Sequence, residues 1–356
     1  MENGKLPLYA KVAFVLLALV LAMFILMYAS GVIIPLVFSL LISALLYPLC
    51  KFFEDRLHFP RSLASLVCVV IFIGLLGGLI YFITFQVVNF SQDLPHLTDR
   101  LQTILNDFQS WIHAKYHINS KQQVDYLNKS ASGIVSAAAA SVTTIFTNVA
   151  TVAIWTVFVF IYTYFMLLHR KLLLRSVLYM FSPKYRAQVN EVVNETRGMI
   201  NSYVLGLLTE MLVVGVLNCT VLSILGIPYA ILLGLIAAVL NIIPYLGIYT
   251  GMAIGMLITF ANSSGTQALE LAIAFLTIHF LDANILMPRI VGSRVKMNPF
   301  ITIITVLTGH LVWGVPGMFL FIPIVGIIKI ISERVESLKA LAILIGVEEK
   351  NKDPKS

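Results

Sequence analysis

Three acids stand alone in a long stretch of this sequence. Between 198 and 288 there is no Lys or Arg, and the only charged residues are Glu210, Glu270 and Asp282. Glu210 lies in Leu207-Leu-Thr-Glu-Met-Leu212, and Asp282 in His279-Phe-Leu-Asp-Ala-Asn-Ile-Leu-Met-Pro288. An ionised carboxylate in apolar surroundings is costly, so such a group faces a cavity, a partner, or a proton or cation that neutralises it. Glu210 therefore reads as a proton or cation site, with an interhelical hydrogen bond as the plainer reading. His279 and Asp282 are three apart and share a helix face; Asn284 points elsewhere unless the helix unwinds. Asp282 reads as a ligand for substrate or ion at a helix end, or more plainly as part of a polar network with Arg289 or Arg294. Asn241 precedes Pro244 and Gly247. Its amide can offer an oxygen to a cation or a donor to a substrate, or simply cap broken backbone. His310 and Glu270 are weaker candidates, Glu270 at the outer interface. No zinc-protease, Walker-type or nucleophile-elbow motif is present, so no catalytic residue and no metal site is expected.

These residues must be carried by apolar helices. Of 356 residues, 59% are hydrophobic and only 12% charged, against about 25% charged in soluble domains. That excludes a soluble enzyme, and it excludes disorder. The net charge of +7 would suit a nucleic-acid binder in a soluble chain. Here the basic residues flank apolar segments, which fits orientation in a membrane and no nucleic-acid partner. Cys50, Cys68 and Cys219 lie in apolar runs at no metal or redox spacing and read as packing residues. The first apolar run is too long for a cleavable signal peptide.

Residues 12–50 exceed one span and divide near Ser30-Gly31, giving spans over 11–29 and 32–50. A third span covers 62–85, with Gly74, Gly77 and Gly78 allowing close helix approach. Residues 86–148 regain charge, with apolar residues at helical spacing (Leu94, Leu97, Leu101, Ile104, Leu105, Phe108, Ile112). They read as an amphipathic helical module outside the membrane or along its surface. A fourth span covers 149–168. Arg170, Lys171, Arg175, Lys184, Arg186 and Arg197 then mark a cytoplasmic segment. A fifth span covers 203–225 and a later one 267–287, ending near Met287 because Pro288 lacks an N–H.

Two further apolar stretches are interrupted. Residues 227–261 break at Asn241-Ile-Ile-Pro-Tyr-Leu-Gly247, and 300–331 break at Gly314-Val-Pro-Gly317. Halves of about 14–17 residues reach about 21–25 Å, short of a core about 30 Å thick. Both read as re-entrant hairpins, with pairs of short full spans as the alternative. Broken backbone at membrane depth survives only where protein or a water-filled cavity satisfies it, and paired interruptions point to a transporter's binding site. The expected fold is therefore all-α. It is a polytopic membrane protein of about six spans and two broken hairpins, plus the amphipathic insert. The expected regions are 1–85, 86–148, 149–200, a transport core over 201–335, and a tail over 336–356. Positive-inside counting puts both termini in the cytoplasm.

The runs Leu225-Gly-Ile-Pro-Tyr-Ala-Ile-Leu-Leu-Gly234, Asn241 to Gly247, Asn284-Ile-Leu-Met-Pro-Arg-Ile-Val-Gly292, Val295-Lys-Met-Asn-Pro299 and Gly314-Val-Pro-Gly317, with Ile322-Pro323 downstream, resemble the autoinducer-2 exporter family in order and spacing. The resemblance covers nearly the whole chain. It implies an inner-membrane permease of about eight membrane segments, homo-oligomeric, with some members linked to signal export and others to sodium/proton antiport. It marks Asn241, Pro244, Gly247, Pro288, Gly292 and Pro299 as motif positions. One departure stands out: many members have His where this chain has Asn298, so a titratable role there is lost.

These readings combine into a secondary transporter that exports a small polar solute by alternating access, without a cofactor. Glu210 or Asp282 would carry a coupling H+ or Na+. The substrate would meet Asn241, Pro244, Gly247, Asn284, Pro288, Gly292, Pro299, Gly314, Pro316 and Gly317. Its partners are the lipid bilayer, a small molecule or ion, and further copies of the chain. The alternatives are a Na+(K+)/H+ antiporter and a non-transporting envelope scaffold, the latter favoured by the 86–148 module.

Overall fold

The computed structural model describes residues 7–116, 149–242, 247–290 and 297–347. Among them the regular structure is helical, with no strand. Helices α1 (Leu8–Tyr28) and α2 (Ser30–Leu57) part at Ala29, beside the expected Ser30-Gly31 turn. Helix α3 (Arg61–Tyr116) is a single 56-residue helix. It does not break near 86, because no Gly or Pro lies between 79 and 94. The amphipathic stretch begins as its continuation, and 117–148 lie outside the described residues. Helix α4 (Val149–Leu168) coincides with the expected fourth span. At His169 the chain bends by 73° into the short basic helix α5 (Arg170–Tyr179).

Helix α6 (Arg186–Ile224) starts within the basic segment and runs 39 residues. The first interrupted stretch gives α7 (Ala230–Leu240) and α8 (Gly247–Asn262). Helix α9 (Gly265–Leu281) passes into a π-helical turn, Asp282–Leu286, and then α10 (Met287–Ile290). The expected stop near Met287 is therefore corrected: the helix continues through Ile290. In the widened turn the Met287 N–H reaches back five residues to the Asp282 carbonyl. The four-residue ladder that a proline would interrupt is already relaxed there. The second interrupted stretch gives α11 (Pro299–Trp313) and α12 (Val315–Arg334), followed by α13 (Lys339–Ile345). At 20 residues α12 is longer than the 14–17 expected of a hairpin half.

Among the described residues, five helical segments are long and apolar enough to cross a membrane: Ser30–Leu57, Arg61–Phe90, Pro183–Ile224, Gly265–Leu286 and Val315–Arg334. The α4–α5 pair, bent by 73°, adds a sixth if its two helices form one span. Large apolar side chains remain exposed along the helices, among them Leu75 (70%), Leu212 (65%) and Leu311 (70%). Lipid, not water, suits such faces. The chain is a polytopic helical membrane protein.

The chain forms two compact units. The first comprises residues 1–70, 155–205 and 292–356. In it the α11–α12 hairpin turns at Gly314, whose φ of 64° and ψ of −141° favour glycine. Gly309 and Gly317 bring the two arms into backbone contact: a Cβ on either would strike the other's carbonyl group. Phe319 stacks on Phe38 at 5.8 Å and tilts against Tyr203 at 6.0 Å. The Trp313 indole N–H donates to the Leu26 carbonyl at 2.9 Å. Arg334 pairs with Glu191 and Glu195 at 2.9 and 3.0 Å. Cys50 and Cys68 are fully buried.

The second unit comprises residues 71–154 and 206–291. Its core joins Leu222, Ile227, Leu233 and Ala237 to Leu271 and Phe275 of α9. Helices α6 and α7 approach closely because Gly234 has no side chain; a Cβ there would meet Cys219 Sγ at 2.6 Å.

Candidate functional site

The second unit contains a buried polar group built from three elements. Its first member is Asp282, 4% exposed, at the start of the π-helical turn. That turn is itself unusual, since π-helical turns concentrate at functional sites. The second is Asn241, the residue at which α7 ends and the first hairpin breaks. Its amide Nδ2 donates to Asp282 Oδ2 at 3.1 Å. The third is Glu210 on α6, 5% exposed and within electrostatic reach of Asp282. His279, one turn before Asp282, also interacts with it electrostatically, and its ring lies edge-on to Tyr249 at 6.4 Å.

The grouping is short of partners. Among the described residues, Glu210 Oε2, Asp282 Oδ1 and His279 Nδ1 are buried without a hydrogen bond. No ion pair involves Glu210 or Asp282 there. The alternative of Asp282 tied to Arg289 thus gives way to a bond with Asn241; Arg294 lies outside the described residues. Two carboxylates in one apolar setting repel and are poorly solvated, so neutralising the charge of either relieves that cost. The unpaired oxygens are the atoms that could receive a proton or cation. No cluster of three His, Cys, Asp or Glu residues suited to a tightly held metal occurs among the described residues.

The remaining candidates fall elsewhere. Asn284 is exposed, and its amide donates back to the Phe280 carbonyl at 2.8 Å, so it does not join the acids. Gly247 opens α8, and Pro288 lies in α10. Pro244 and Gly292 lie outside the described residues. Pro299, Gly314, Pro316 and Gly317 belong to the first unit, where they shape the α11–α12 hairpin. Asn298 caps α11, its Oδ1 accepting from the Phe300 N–H at 3.0 Å. That gives the departure from histidine a structural role. Glu270 and His310 are exposed.

Two residues of the second unit carry a signal that the sequence reading passed over. Asn218 on α6 is fully buried; its Nδ2 donates to the Val214 carbonyl at 2.8 Å, and its Oδ1 lacks a partner among the described residues. Its mark is being the only amide between Met211 and Leu225. Thr259 on α8 is likewise fully buried, with a free hydroxyl among the described residues.

Comparison with known proteins agrees with the membrane fold. The chain is similar to the Bacillus subtilis protein named "Putative transport protein YrrI", 27% identical over 305 residues, 83% of this chain and 84% of that one. A second B. subtilis protein, "Putative transport protein YueF", is 26% identical over 83% of this chain and 82% of its own. The Escherichia coli K12 protein named "Putative permease PerM" is 25% identical over 335 residues, 89% of this chain and 91% of its own. Residues 14–337 match the sequence model described as AI-2E family transporter. With that match running from α1 to the end of α12, this multi-pass membrane protein belongs to the AI-2E family of transporters, a bacterial permease family.

Proposed function

We propose that the chain is a secondary transporter that exports a small polar solute, an autoinducer-2-like signal or metabolite, by alternating access coupled to H+ or Na+. It works in the bacterial inner membrane as a homo-oligomer with both termini cytoplasmic. It needs no cofactor and catalyses no covalent step. One observation carries the reading: Asn241, at the hairpin break, bonds to buried Asp282, and Glu210 is in electrostatic reach. An acid pair with no Lys or Arg ion pair among the described residues suits reversible loading by a proton or monovalent cation. The hairpin break is the kind of interrupted helix that lines transporter sites.

A second reading, Na+(K+)/H+ antiport without an organic substrate, draws on the same chemistry. The block from 198 to 288 holds three acids and no Lys or Arg to receive an anionic solute. Proton flux in proteoliposomes, with Na+, K+ and small polar metabolites added in turn, separates the two. Flux that requires a metabolite supports coupled export. Flux driven by Na+ or K+ alone supports antiport. In both cases Asp282→Asn and Glu210→Gln abolish the coupling; if both variants transport as the unaltered protein does, the acids are not the coupling groups.

A further inference from the structure

The first unit holds a polar cavity of its own. Where α4 bends into α5, a cavity of about 230 Å³ opens between α2, α4, α5 and α6. Its walls are mostly apolar, from residues such as Leu40, Ala44, Leu167 and Val177, and its charged lining residues are Arg170 and Arg197. Both guanidinium groups lie over one ring, that of Tyr47, at 5.3 and 4.5 Å from its centroid. Arg170 is also paired with Glu54. Even so, its Nη1 is buried with no hydrogen-bond partner among the described residues. Arg197 has no acid partner among those residues. Two arginines and one carboxylate leave the cavity with surplus positive charge and unused N–H donors.

The helix beside the cavity has the character of a membrane-surface element. Helix α5 reads Arg-Lys-Leu-Leu-Leu-Arg-Ser-Val-Leu-Tyr and turns 73° away from α4. Leu172, Leu173 and Val177 are exposed on it, as are Met180 and Phe181 just after it, amid Arg170, Lys171, Arg175, Lys184 and Arg186. Large exposed apolar residues interleaved with basic ones suit the boundary between acyl chains and anionic headgroups. An apolar cavity with arginine donors at that level fits an amphiphile that has a phosphate at one end and hydrocarbon at the other.

We propose that this cavity binds an anionic phospholipid. The phosphate accepts hydrogen bonds from Arg197 and from the free Nη1 of Arg170, and the start of an acyl chain lies along Leu40, Ala44 and Leu167. The lipid would brace the α4–α5 bend against α2 and α6.

The test uses the full-length protein in detergent, with dioleoyl phosphatidylglycerol, dioleoyl phosphatidylcholine or inorganic phosphate added, read by native mass spectrometry and thermal unfolding. Phosphatidylglycerol is expected to bind and raise the unfolding temperature more than phosphatidylcholine does. Arg197→Gln should weaken phosphatidylglycerol binding about fivefold, the size expected for one arginine at an anionic membrane surface. Ser43→Phe, which fills the cavity while keeping both arginines, should weaken it as well. Equal binding of the two lipids overturns the proposal. So does an Arg197→Gln variant that keeps the phosphatidylglycerol preference. Full stabilisation by inorganic phosphate, unaffected by Ser43→Phe, would instead mark a site for a free anion.

Discussion

The two hairpins begin from the same device, an apolar helix pair interrupted by Pro and Gly, and end as different objects. In α11–α12 the interruption is a single residue, Gly314, and the arms meet backbone to backbone at Gly309 and Gly317. No ionisable group lies at that tip. In α7–α8 the first arm ends at Asn241, which bonds to a buried acid on another helix, and residues 243–246 lie outside the described residues. Where these arms pass, at Gly251 and Ala237, the spacing is ordinary van der Waals contact. A break in an apolar helix is therefore not itself a site. Only the first break gathers buried polar groups: Asn241 bonds to Asp282, with Glu210 in electrostatic reach.

The contrast is sharpest at Gly317. A methyl group there runs into the Gly309 carbonyl, a backbone group that cannot turn aside. Gly317→Ala should therefore destabilise the protein by about 3 kcal/mol, at the upper end of overpacking costs. Thermal unfolding in detergent measures this; an unchanged unfolding temperature would mean that the arms do not close as tightly as described. The functional counterpart is Asn241→Ala. It leaves a buried carboxylate without its one hydrogen bond among the described residues, an interaction worth about 1.5–3 kcal/mol. Its coupled flux is expected to fall about tenfold or more while the protein remains folded. Normal flux would dissociate the hairpin tip from transport. Gly314→Ala probes the other tip, where the positive φ imposes strain of about 1–3 kcal/mol on a residue with a side chain. Its loss should appear in unfolding temperature, with flux per folded molecule falling less than in Asn241→Ala.

Much of this was legible in the residues, because membrane helices announce themselves locally. A run of about 20 apolar residues needs no partner to be read, and neither does a Pro-Gly interruption. The Ala29 break, the fourth span and the turn at Gly314 all follow from such local signals. Asp282 and Glu210 were conspicuous because charge is so rare between 198 and 288. What the sequence did not show was pairing. Asn241 and Asp282 are 41 residues apart, and nothing at either position specifies the other. The same limit applies to Asn218 and Thr259, whose burial depends on which helix faces they occupy. The helix continuing past Pro288 was hidden for another reason: proline stops a regular α-helix, and only a change of hydrogen-bond register, absent from residue identities, lets the chain continue.

Gly251 is the mildest position at which the two hairpins can be set against each other. It lies inside α8, where a Cβ would sit 3.4 Å from Ala237 Cα, 3.5 Å from Ala237 Cβ and 3.7 Å from the Phe275 ring. None of these contacts is a collision. Two effects of Gly251→Ala then point the same way. Alanine removes backbone freedom from the unfolded chain and raises helix propensity, together worth about 0.5–1 kcal/mol. The added methyl also fills space beside Ala237 and Phe275, in the apolar core of the second unit. The expected outcome is a small rise in unfolding temperature, opposite in sign to Gly317→Ala, with flux retained because Gly251 bonds to none of the polar groups. A fall in unfolding temperature as large as that of Gly317→Ala would show that the first hairpin closes as tightly as the second. The space assigned to its polar break would then have to be found elsewhere.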